Sequence, residues 1–410
     1  MGKIISLNKN NSLLVPNNPV IGYIPGDGTG PDIWKAARKV IDHAVAIAYN
    51  NNRKIDFKKL PAGEQGFHET GEWLPETTLK LIQKYKIAIK GPLTTPVGHG
   101  MKSLNITIRQ YLDLFACIRP AKYIKGVPSP CKHPELIDMV IFRENTEDIY
   151  LGIEWEAGTK DAKQVLSFIN SKIPHRLEDN TTGIGIKTIS EKNTKRIVRK
   201  AILFAIDNNR KNITIMHKGN IMKYTEGAFL KWGYELAQSE FKNTIITEQD
   251  LFEKYNGKIP ENKIVLKNRI ADNMFQQVLL RPDEYDIIIA PNLNGDYISD
   301  TLAAMVGGLG LAPGANIGDK CAVFEATHGS APKYANLDKV NPGSLILSGA
   351  MMLDHMGWDK PADIIRTALQ KIILNKQVTY DLARQISGAK ELKCSEFADV
   401  ICDCISINSP

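Results

Sequence analysis

Two aspartates four residues apart, Asp296 and Asp300, are the residues whose types and spacing most directly suggest chemistry. The apolar segment 285–290 predicts a short buried strand, residues 291–295 a turn, and residues 297–306 a helix. An i, i+4 spacing places two side chains on one helical face, and open α/β sheets bind ligands at the carboxyl ends of their strands. Two carboxylates that leave room for water and substrate suit Mg²⁺ or Mn²⁺. The alternative interpretation is that acids near a helix start favour the helix dipole.

A second group of polar residues suits a small polycarboxylate. Hydroxyl, amide and guanidinium groups are supplied by Ser103, Asn105, Arg109, Arg119 and Arg143. The planar fork of arginine binds a carboxylate in a bidentate manner, so three forks match a tricarboxylate. The spacing alone does not show whether these arginines converge, and an isolated arginine is more often a surface or ion-pair residue.

Tyr150 and Lys218 are candidate proton-transfer groups, because a nearby ammonium charge eases proton transfer from a tyrosine. Asp272 follows an apolar stretch and could be a third carboxylate for the metal. Taken singly, each of these residues is also compatible with a packing or solvated role.

The segment 324–334 is rich in small residues and predicts a loop that approaches a ligand closely. His328 could lie against a purine or phosphate, and Lys333 and Tyr334 end the segment. Tyr380 and Arg384, at i and i+4, could face the same ligand. Lysine, arginine and tyrosine hydroxyls together are typical of a site for a ribose 2′-phosphate. An amphipathic helix with a solvated arginine is the alternative for the last pair.

Strands alternate with helices along the chain, which indicates an α/β protein. Three glycines follow the predicted strand 19–24, but their order, Gly26, Gly28 and Gly30, is not the G-x-G-x-x-G of a Rossmann domain. Residues 148–190 are more polar and predict an inserted, hairpin-rich unit.

Length and composition predict an ordinary soluble globular protein of two or three domains, since 410 residues exceed one simple core. The net charge of +7 is scattered, which argues against nucleic-acid binding. No apolar run is long enough to predict a membrane span. The six cysteines show no paired spacing, so we expect reduced thiols and a cytoplasmic location.

Four long motifs, at residues 89–98, 138–145, 217–222 and 292–300, resemble those of the bacterial-type NADP-dependent isocitrate dehydrogenases, which are decarboxylating β-hydroxyacid dehydrogenases. The resemblance extends from about residue 20 to residue 398. The chain departs from the family at His99, where a glycine is expected, and over residues 251–267.

The resemblance implies oxidative decarboxylation of isocitrate to 2-oxoglutarate and CO₂ with reduction of NADP⁺, a reaction of the tricarboxylic acid cycle. It implies an isocitrate site at Ser103, Asn105, Arg109, Arg119 and Arg143. It implies catalytic roles for Tyr150, Lys218 and Asp272, and Mg²⁺ or Mn²⁺ ligation by Asp272, Asp296 and Asp300. The residues implied for NADP are Thr94, His328, Gly329, Ser330, Ala331, Pro332, Lys333, Tyr334, Asn341, Tyr380 and Arg384.

The fold implied is that of isocitrate dehydrogenase, in which a clasp interlocks two subunits. It predicts a large α/β domain (1–114 and 307–410), a small α/β domain (115–147 and 191–306) and the clasp (148–190). It further implies a homodimer with shared active sites, Asp272 crossing the dimer interface, and a regulatory kinase acting on Ser103.

Three alternatives remain at this point. A 3-isopropylmalate or other β-decarboxylating dehydrogenase would need an apolar patch where Ser103 and Asn105 stand. An NAD-dependent isocitrate dehydrogenase would lack the cluster that contains Lys333 and Arg384. A non-catalytic regulatory subunit would have lost members of the tyrosine, lysine and aspartate set.

Overall fold

An 11-stranded mixed sheet organises the residues described by the computed structural model, which are 2–9, 12–95, 103–178 and 180–407. The end of the motif 89–98, and His99, lie outside the described residues. Within the described ranges, no helix combines the length and apolar character needed to span a bilayer.

The strands in chain order are β1 (Ser6–Leu7), β2 (Leu13–Leu14), β3 (Val20–Ile24), β4 (Asp56–Lys59), β5 (Ile87–Lys90), β6 (Ala116–Lys122), β7 (Asp138–Glu144), β8 (Glu154–Trp155), β9 (Ile184–Gly185), β10 (Asn212–His217), β11 (Ile245–Thr247), β12 (Ile264–Ile270), β13 (Ile287–Ala290), β14 (Pro313–Ile317), β15 (Ala322–Ala326), β16 (Gln377–Thr379) and β17 (Lys390–Leu392). The helices are α1 (Gly30–Ala48), α2 (Gly63–Thr70), α3 (Glu76–Tyr85), α4 (Leu104–Tyr111), α5 (Lys160–Asn170), α6 (Glu191–Asp207), α7 (Glu226–Glu240), α8 (Glu248–Tyr255), α9 (Ala271–Leu280), α10 (Asn292–Met305), α11 (Gly343–His355), α12 (Asp359–Leu374), α13 (Tyr380–Ala383) and α14 (Cys394–Ile407).

Two parallel groups of strands make up the sheet, in the order β11-β12-β10-β13-β7-β6-β14-β15-β5-β3-β4. The strands from β11 to β7 are parallel to one another, as are those from β15 to β4. Antiparallel pairing of β7, β6, β14 and β15 joins the groups. Strands such as β13 and β5 are buried along their whole length, as expected where helices cover both faces of a parallel sheet.

The register of β6 and β7 separates two kinds of side chain. Arg119 pairs with Ile141, and Cys117 with Arg143, whereas Ile118 pairs with Phe142 and Pro120 with Val140. Since successive side chains of a strand point to opposite faces, both arginines lie on one face of the sheet. The opposite face at this point is apolar.

One local prediction is wrong: residues 291–295 do not form a turn, because α10 already begins at Asn292. The Asn292 amide accepts a hydrogen bond from Arg143 Nε at 2.8 Å and donates to the carbonyl of Glu147 at 3.0 Å, so this turn-forming residue is held in the helix. Position 295 favours glycine, because the Cβ of any other residue would lie 2.6 Å from Arg143 Cγ. Tertiary contacts therefore override the local turn propensity.

The segment 148–190 contains the antiparallel pair β8–β9 and the helix α5, so it is less rich in hairpins than predicted. Its role as a clasp, and the domain boundaries, remain predictions.

Candidate functional site

Two carboxylates and two arginines meet where β7, β6 and α10 come together. Arg143, at the end of β7, forms an ion pair with Asp296. Arg119 Nη1 lies 3.2 Å from Asp300 Oδ1 and 3.9 Å from Asp296 Oδ1, and it donates to Ser299 Oγ at 2.7 Å. The aspartates thus share one helical face, as their spacing predicted, and that face is directed at the arginines.

Tyr150 is bonded to the same cluster. Its hydroxyl donates to Asp296 Oδ2 at 2.7 Å, and its ring lies under the Arg143 guanidinium, 4.8 Å from the ring centroid. Burial, together with the hydrogen bond to Asp296, raises the pKa of Tyr150 to about 12. Burial alone would raise the pKa of Asp296, but Arg143, Tyr150 and Arg119 outweigh it and hold that pKa low. The cluster therefore contains a protonated phenol beside an ionised carboxylate.

Arg109 is held from behind by a buried carboxylate that the motifs did not single out. Glu325 Oε1 accepts from Arg109 Nη2 at 2.8 Å, and Glu325 Oε2 lies 2.8 Å from Lys90 Nζ. Asn316 donates to Glu325 at 2.7 Å. Burial would raise the pKa of Glu325, but the charges of Lys90 and Arg109 keep it well below its usual range. Nothing in the sequence singled out Glu325, because its role depends on Lys90 and Arg109 being brought to it by the fold.

The three arginines converge, which their spacing alone could not show. The charge of Arg109 acts on both Arg119 and Arg143, and the charge of Asp296 acts on all three. Several buried polar atoms here have no hydrogen-bond partner among the described residues: Asn105 Oδ1, Arg109 Nε and Arg119 Nε. Unsatisfied buried donors and acceptors indicate a place that a polar ligand completes.

Ser103 is the N-cap residue of α4, and its side chain makes no capping hydrogen bond. Its carbonyl accepts from the Thr107 amide at 2.9 Å. The hydroxyl therefore does not cap the helix, and it has no hydrogen-bond partner among the described residues.

Lys218 and Asp272 form no hydrogen bond or ion pair with this cluster among the described residues. They form an ion pair with each other, at the ends of β10 and β12, and the Lys218 ammonium holds the pKa of the Asp272 carboxyl low. The Tyr150 hydroxyl is bonded to Asp296 instead of to Lys218. Within the described residues, no three His, Cys, Asp or Glu side chains are grouped so as to hold a metal ion.

Asp296 and Asp300 nevertheless have the chemistry of a partial divalent-cation site. Both present hard carboxylate oxygens, and the Asp300 side chain is 56% exposed, so it is open to solvent and ligand. A cation there would lie beside the arginine cluster.

A separate cavity of about 730 Å³ lies beside the loop that follows β15. Among its lining residues are His328, Gly329, Ala331, Tyr334, Asn341, Tyr380 and Arg384. His328 Nδ1 lies 2.9 Å from the Gly329 carbonyl, its Nε2 has no partner among the described residues, and burial lowers its pKa. A neutral imidazole therefore faces the cavity.

Other predicted cofactor residues hold this loop in place. Thr94 Oγ1 donates to Ser330 Oγ at 2.7 Å, and the Thr94 amide donates to Asp27 at 2.7 Å. Asn341 donates to Asp381 at 3.0 Å and accepts from the Gly343 amide at 2.8 Å. Thr94, Ser330 and Asn341 are thus already bonded within the chain.

Two tyrosine rings form a platform at one end of the cavity. The centroids of Tyr334 and Tyr380 are 5.9 Å apart. Lys333 Nζ lies 5.0 Å from the Tyr334 centroid, and Lys339 Nζ lies 5.1 Å from that of Tyr380. Lys339 was not among the predicted residues, because it is six positions beyond the Lys333 motif and only the fold brings it to the second ring.

The chain matches the family model described as isocitrate/isopropylmalate dehydrogenase over residues 20–401. A relative from Staphylococcus epidermidis, named isocitrate dehydrogenase [NADP], is 54% identical over 94% of this chain and 96% of its own. A Helicobacter pylori protein of the same name is 53% identical over 96% and 95% of the two chains. The crystal structure of isocitrate dehydrogenase from Methylococcus capsulatus superposes with a TM-score of 0.78 at 35% identity, over 94% of this chain and 99% of the other. The predicted fold class is thereby confirmed.

Proposed function

The chain belongs to the isocitrate/isopropylmalate dehydrogenase family, and on that premise we propose that it converts isocitrate to 2-oxoglutarate and CO₂ with reduction of NADP⁺. The observation that carries this proposal is the convergence of Arg109, Arg119 and Arg143 beside Asp296 and Asp300. Three guanidinium groups match three substrate carboxylates. The relatives that are similar over nearly the whole chain are named isocitrate dehydrogenase [NADP].

The proposed substrate residues are supported by polar atoms that have no partner among the described residues. Asn105 and two of the arginines have buried polar atoms without partners, and the Ser103 hydroxyl is uncommitted. These polar groups also argue against an isopropyl substituent, which would leave them desolvated without hydrogen bonds. Isocitrate is therefore preferred over 3-isopropylmalate.

Asp296 and Asp300 would hold Mg²⁺ or Mn²⁺, with Asp272 supplied by a second subunit. The bound cation supplies Lewis-acid stabilisation of negative charge on the substrate oxygens. Arg143 keeps Asp296 ionised, which supports ligation. The ion pair of Asp272 with Lys218, apart from the cluster, agrees with both residues serving the site of a partner in a homodimer.

Tyr150 acts as the general acid that protonates carbon after loss of CO₂. Its pKa of about 12 keeps the proton on the phenol until the far more basic carbon accepts it. Asp296 orients the hydroxyl through the 2.7 Å hydrogen bond. The base that takes the hydroxyl proton of isocitrate is either Asp272 or Lys218.

NADP⁺, the hydride acceptor, occupies the cavity lined by His328, Tyr334, Tyr380 and Arg384. The lysines above the two tyrosine rings add positive charge where the 2′-phosphate would lie. We further propose a cytoplasmic location, and control by phosphorylation of Ser103.

A single set of assays tests the function. NADPH or NADH absorbance is followed with isocitrate or 3-isopropylmalate, each with NADP⁺ or NAD⁺, in the presence of Mg²⁺. Turnover of isocitrate with NADP⁺ well above the other three combinations is expected. Preference for 3-isopropylmalate would contradict the substrate, equal use of NAD⁺ would contradict the cofactor, and no turnover by the folded protein would favour a regulatory subunit.

A further inference from the structure

A second cleft, of about 1080 Å³, lies on the other face of the strands that carry the arginines. Ile118, Pro120 and Val140 line it, and the register of β6 and β7 places them opposite the face that bears Arg119 and Arg143. The central strands are therefore a wall shared by two clefts, and the second cleft is separate from the proposed reaction.

Helices from two parts of the chain close the second cleft. Lys200, Leu203 and Phe204 line it from α6, and Met351 and His355 line it from α11. Phe324, from β15, forms part of its floor, and the His355 ring packs on Phe324 with centroids 5.6 Å apart. The lining combines these apolar residues with charged side chains, so the cleft offers both kinds of contact to an amphipathic small molecule.

The cations of this cleft differ in how they are neutralised. Lys122 and Arg210 pair with Asp138 at 2.8 and 2.7 Å, and Arg366 pairs with Asp354 and Asp363. Lys200, by contrast, has no hydrogen bond or ion pair with any described residue.

Lys200 is the cation of the cleft with which an anionic ligand would pair. It is half-buried, and burial lowers its pKa, with Asp319 and Asp207 acting only at longer range. Its neighbour His355 is neutral, because burial and the Lys200 charge lower its pKa to about 4. Asp207 and Asp359, the acids of the lining without a partner, are exposed to water. Lys200 is therefore the cation of the lining that is left to pair with an anion, and a pair at a half-buried position is less screened than one in open water.

We propose that the second cleft binds a small amphipathic monocarboxylate, whose carboxylate pairs with Lys200 and whose apolar body lies on Leu203, Phe204 and Phe324. Such a ligand would contact α6 and β15 together, and so bridge two sides of the cleft. The proposal does not depend on the identity of the substrate or cofactor on the other face.

The test is calorimetric titration of the full-length protein with octanoate, with acetate as the probe that lacks a tail and octylammonium as the probe of opposite charge. Octanoate is expected to bind at one site per chain, and acetate and octylammonium at least about tenfold more weakly. Lys200→Gln should weaken octanoate binding about tenfold or more. Leu203→Asp should do the same, because it places an acid among the apolar residues proposed to hold the ligand. Lys192→Gln, an exposed lysine of the same helix, is the matched control and should bind octanoate like the wild type.

The three substituted residues, Lys200, Leu203 and Lys192, are half-buried or exposed, so the variants are expected to fold. Circular dichroism checks this. Absence of octanoate binding to the wild type would overturn the proposal. So would equal binding of octanoate by the wild type, Lys200→Gln and Leu203→Asp, since the ligand would then lie elsewhere. Tighter binding of octylammonium than of octanoate would show that the acids of the cleft select the ligand instead of Lys200.

Discussion

The cluster of arginines and aspartates and the cavity beside the loop after β15 differ in how far their charged groups are already bonded within the chain. Arg143, Asp296 and Tyr150 are joined to one another, and Glu325 fixes Arg109 from behind. At the cavity, Lys333 and Lys339 lie against the faces of tyrosine rings and form no ion pair with another described residue, and the rings themselves are partly open.

This difference indicates two ways of preparing a site. The bonded cluster is preorganised, so its charges are in place before a reacting group arrives, which is the arrangement that favours stabilisation of developing charge. In the proposed function, the cavity would receive its anionic partner only when the cofactor phosphate binds, so its contribution would be to affinity and to the choice of cofactor. Substitutions in the cluster should therefore reduce turnover, and some should reduce stability. Substitutions in the cavity should change cofactor affinity alone.

The largest effect is expected for Asp300→Asn. The amide keeps the shape of the side chain but removes one of the carboxylate charges proposed to hold a divalent cation. kcat/KM should fall by roughly two orders of magnitude or more, and the Mg²⁺ concentration for half-maximal activity should rise. Activity is measured by NADPH absorbance across a Mg²⁺ titration, with EDTA abolishing turnover of the wild type. Asp403→Asn, an exposed acid on α14, is the control and should be unaffected. Full wild-type activity in EDTA would contradict the metal assignment.

Ser103→Asp should block isocitrate binding while leaving NADPH binding intact. A negative charge at this position would repel the substrate carboxylates directly. Aspartate is a favourable N-cap residue, so α4 should still form. Binding of each ligand is measured by calorimetry, and Ser103→Ala controls for loss of the hydroxyl alone. If Ser103→Asp bound isocitrate with wild-type affinity, the serine would not lie against the substrate.

In the cavity, Lys333→Asp combined with Arg384→Ala should lower kcat/KM for NADP⁺ about a hundredfold or more. Each charged hydrogen bond to the 2′-phosphate contributes on the order of 1.5–3 kcal/mol, and NAD⁺ lacks that phosphate. Turnover with NAD⁺ should change little, the KM for isocitrate should stay the same, and so should the melting temperature. Lys360→Asp, an exposed position on α12, controls for a change of net charge. Equal losses with both cofactors would mean that these residues do not read the 2′-phosphate.

The sequence predicted residue types better than it predicted their mutual arrangement. The i, i+4 spacing of Asp296 and Asp300 placed both on one face, because helix geometry is local. The convergence of Arg119 with Arg143 depends on the register of β6 and β7, and that of Arg109 depends on how α4 packs against the sheet, so both involve distant segments of the chain. The NADP-dependent isocitrate dehydrogenase resemblance came from long motifs, and the similarity of named relatives confirms it.

The partners of these residues were harder to predict. Glu325 had no signal of its own, because a buried carboxylate is recognisable only once Lys90 and Arg109 are seen on either side of it. Lys339 reaches Tyr380 through the tertiary fold. Residues 291–295 were wrongly predicted as a turn, since proline, asparagine and glycine have turn propensity and the contacts of Asn292 with Arg143 and Glu147 are not local.

Gly295→Ala is expected to have the smallest effect, and it tests whether the cluster is rigid. A Cβ at this position would lie 2.6 Å from Arg143 Cγ and 2.7 Å from Arg143 Cβ, so the arginine must move. Overpacking costs about 1–3 kcal/mol of unfolding free energy, and the better helix propensity of alanine offsets about 1 kcal/mol of it. Displacement of Arg143 should also raise the KM for isocitrate about tenfold.

Gly349→Ala is a matched control, because its Cβ would meet Ile41 Cδ1 at 2.4 Å in the core between α1 and α11. That variant should lose stability in denaturant titrations without a change in KM. If Gly295→Ala behaved in the same way, with stability reduced and the KM for isocitrate unchanged, Arg143 would not be held at the substrate by the close approach of α10.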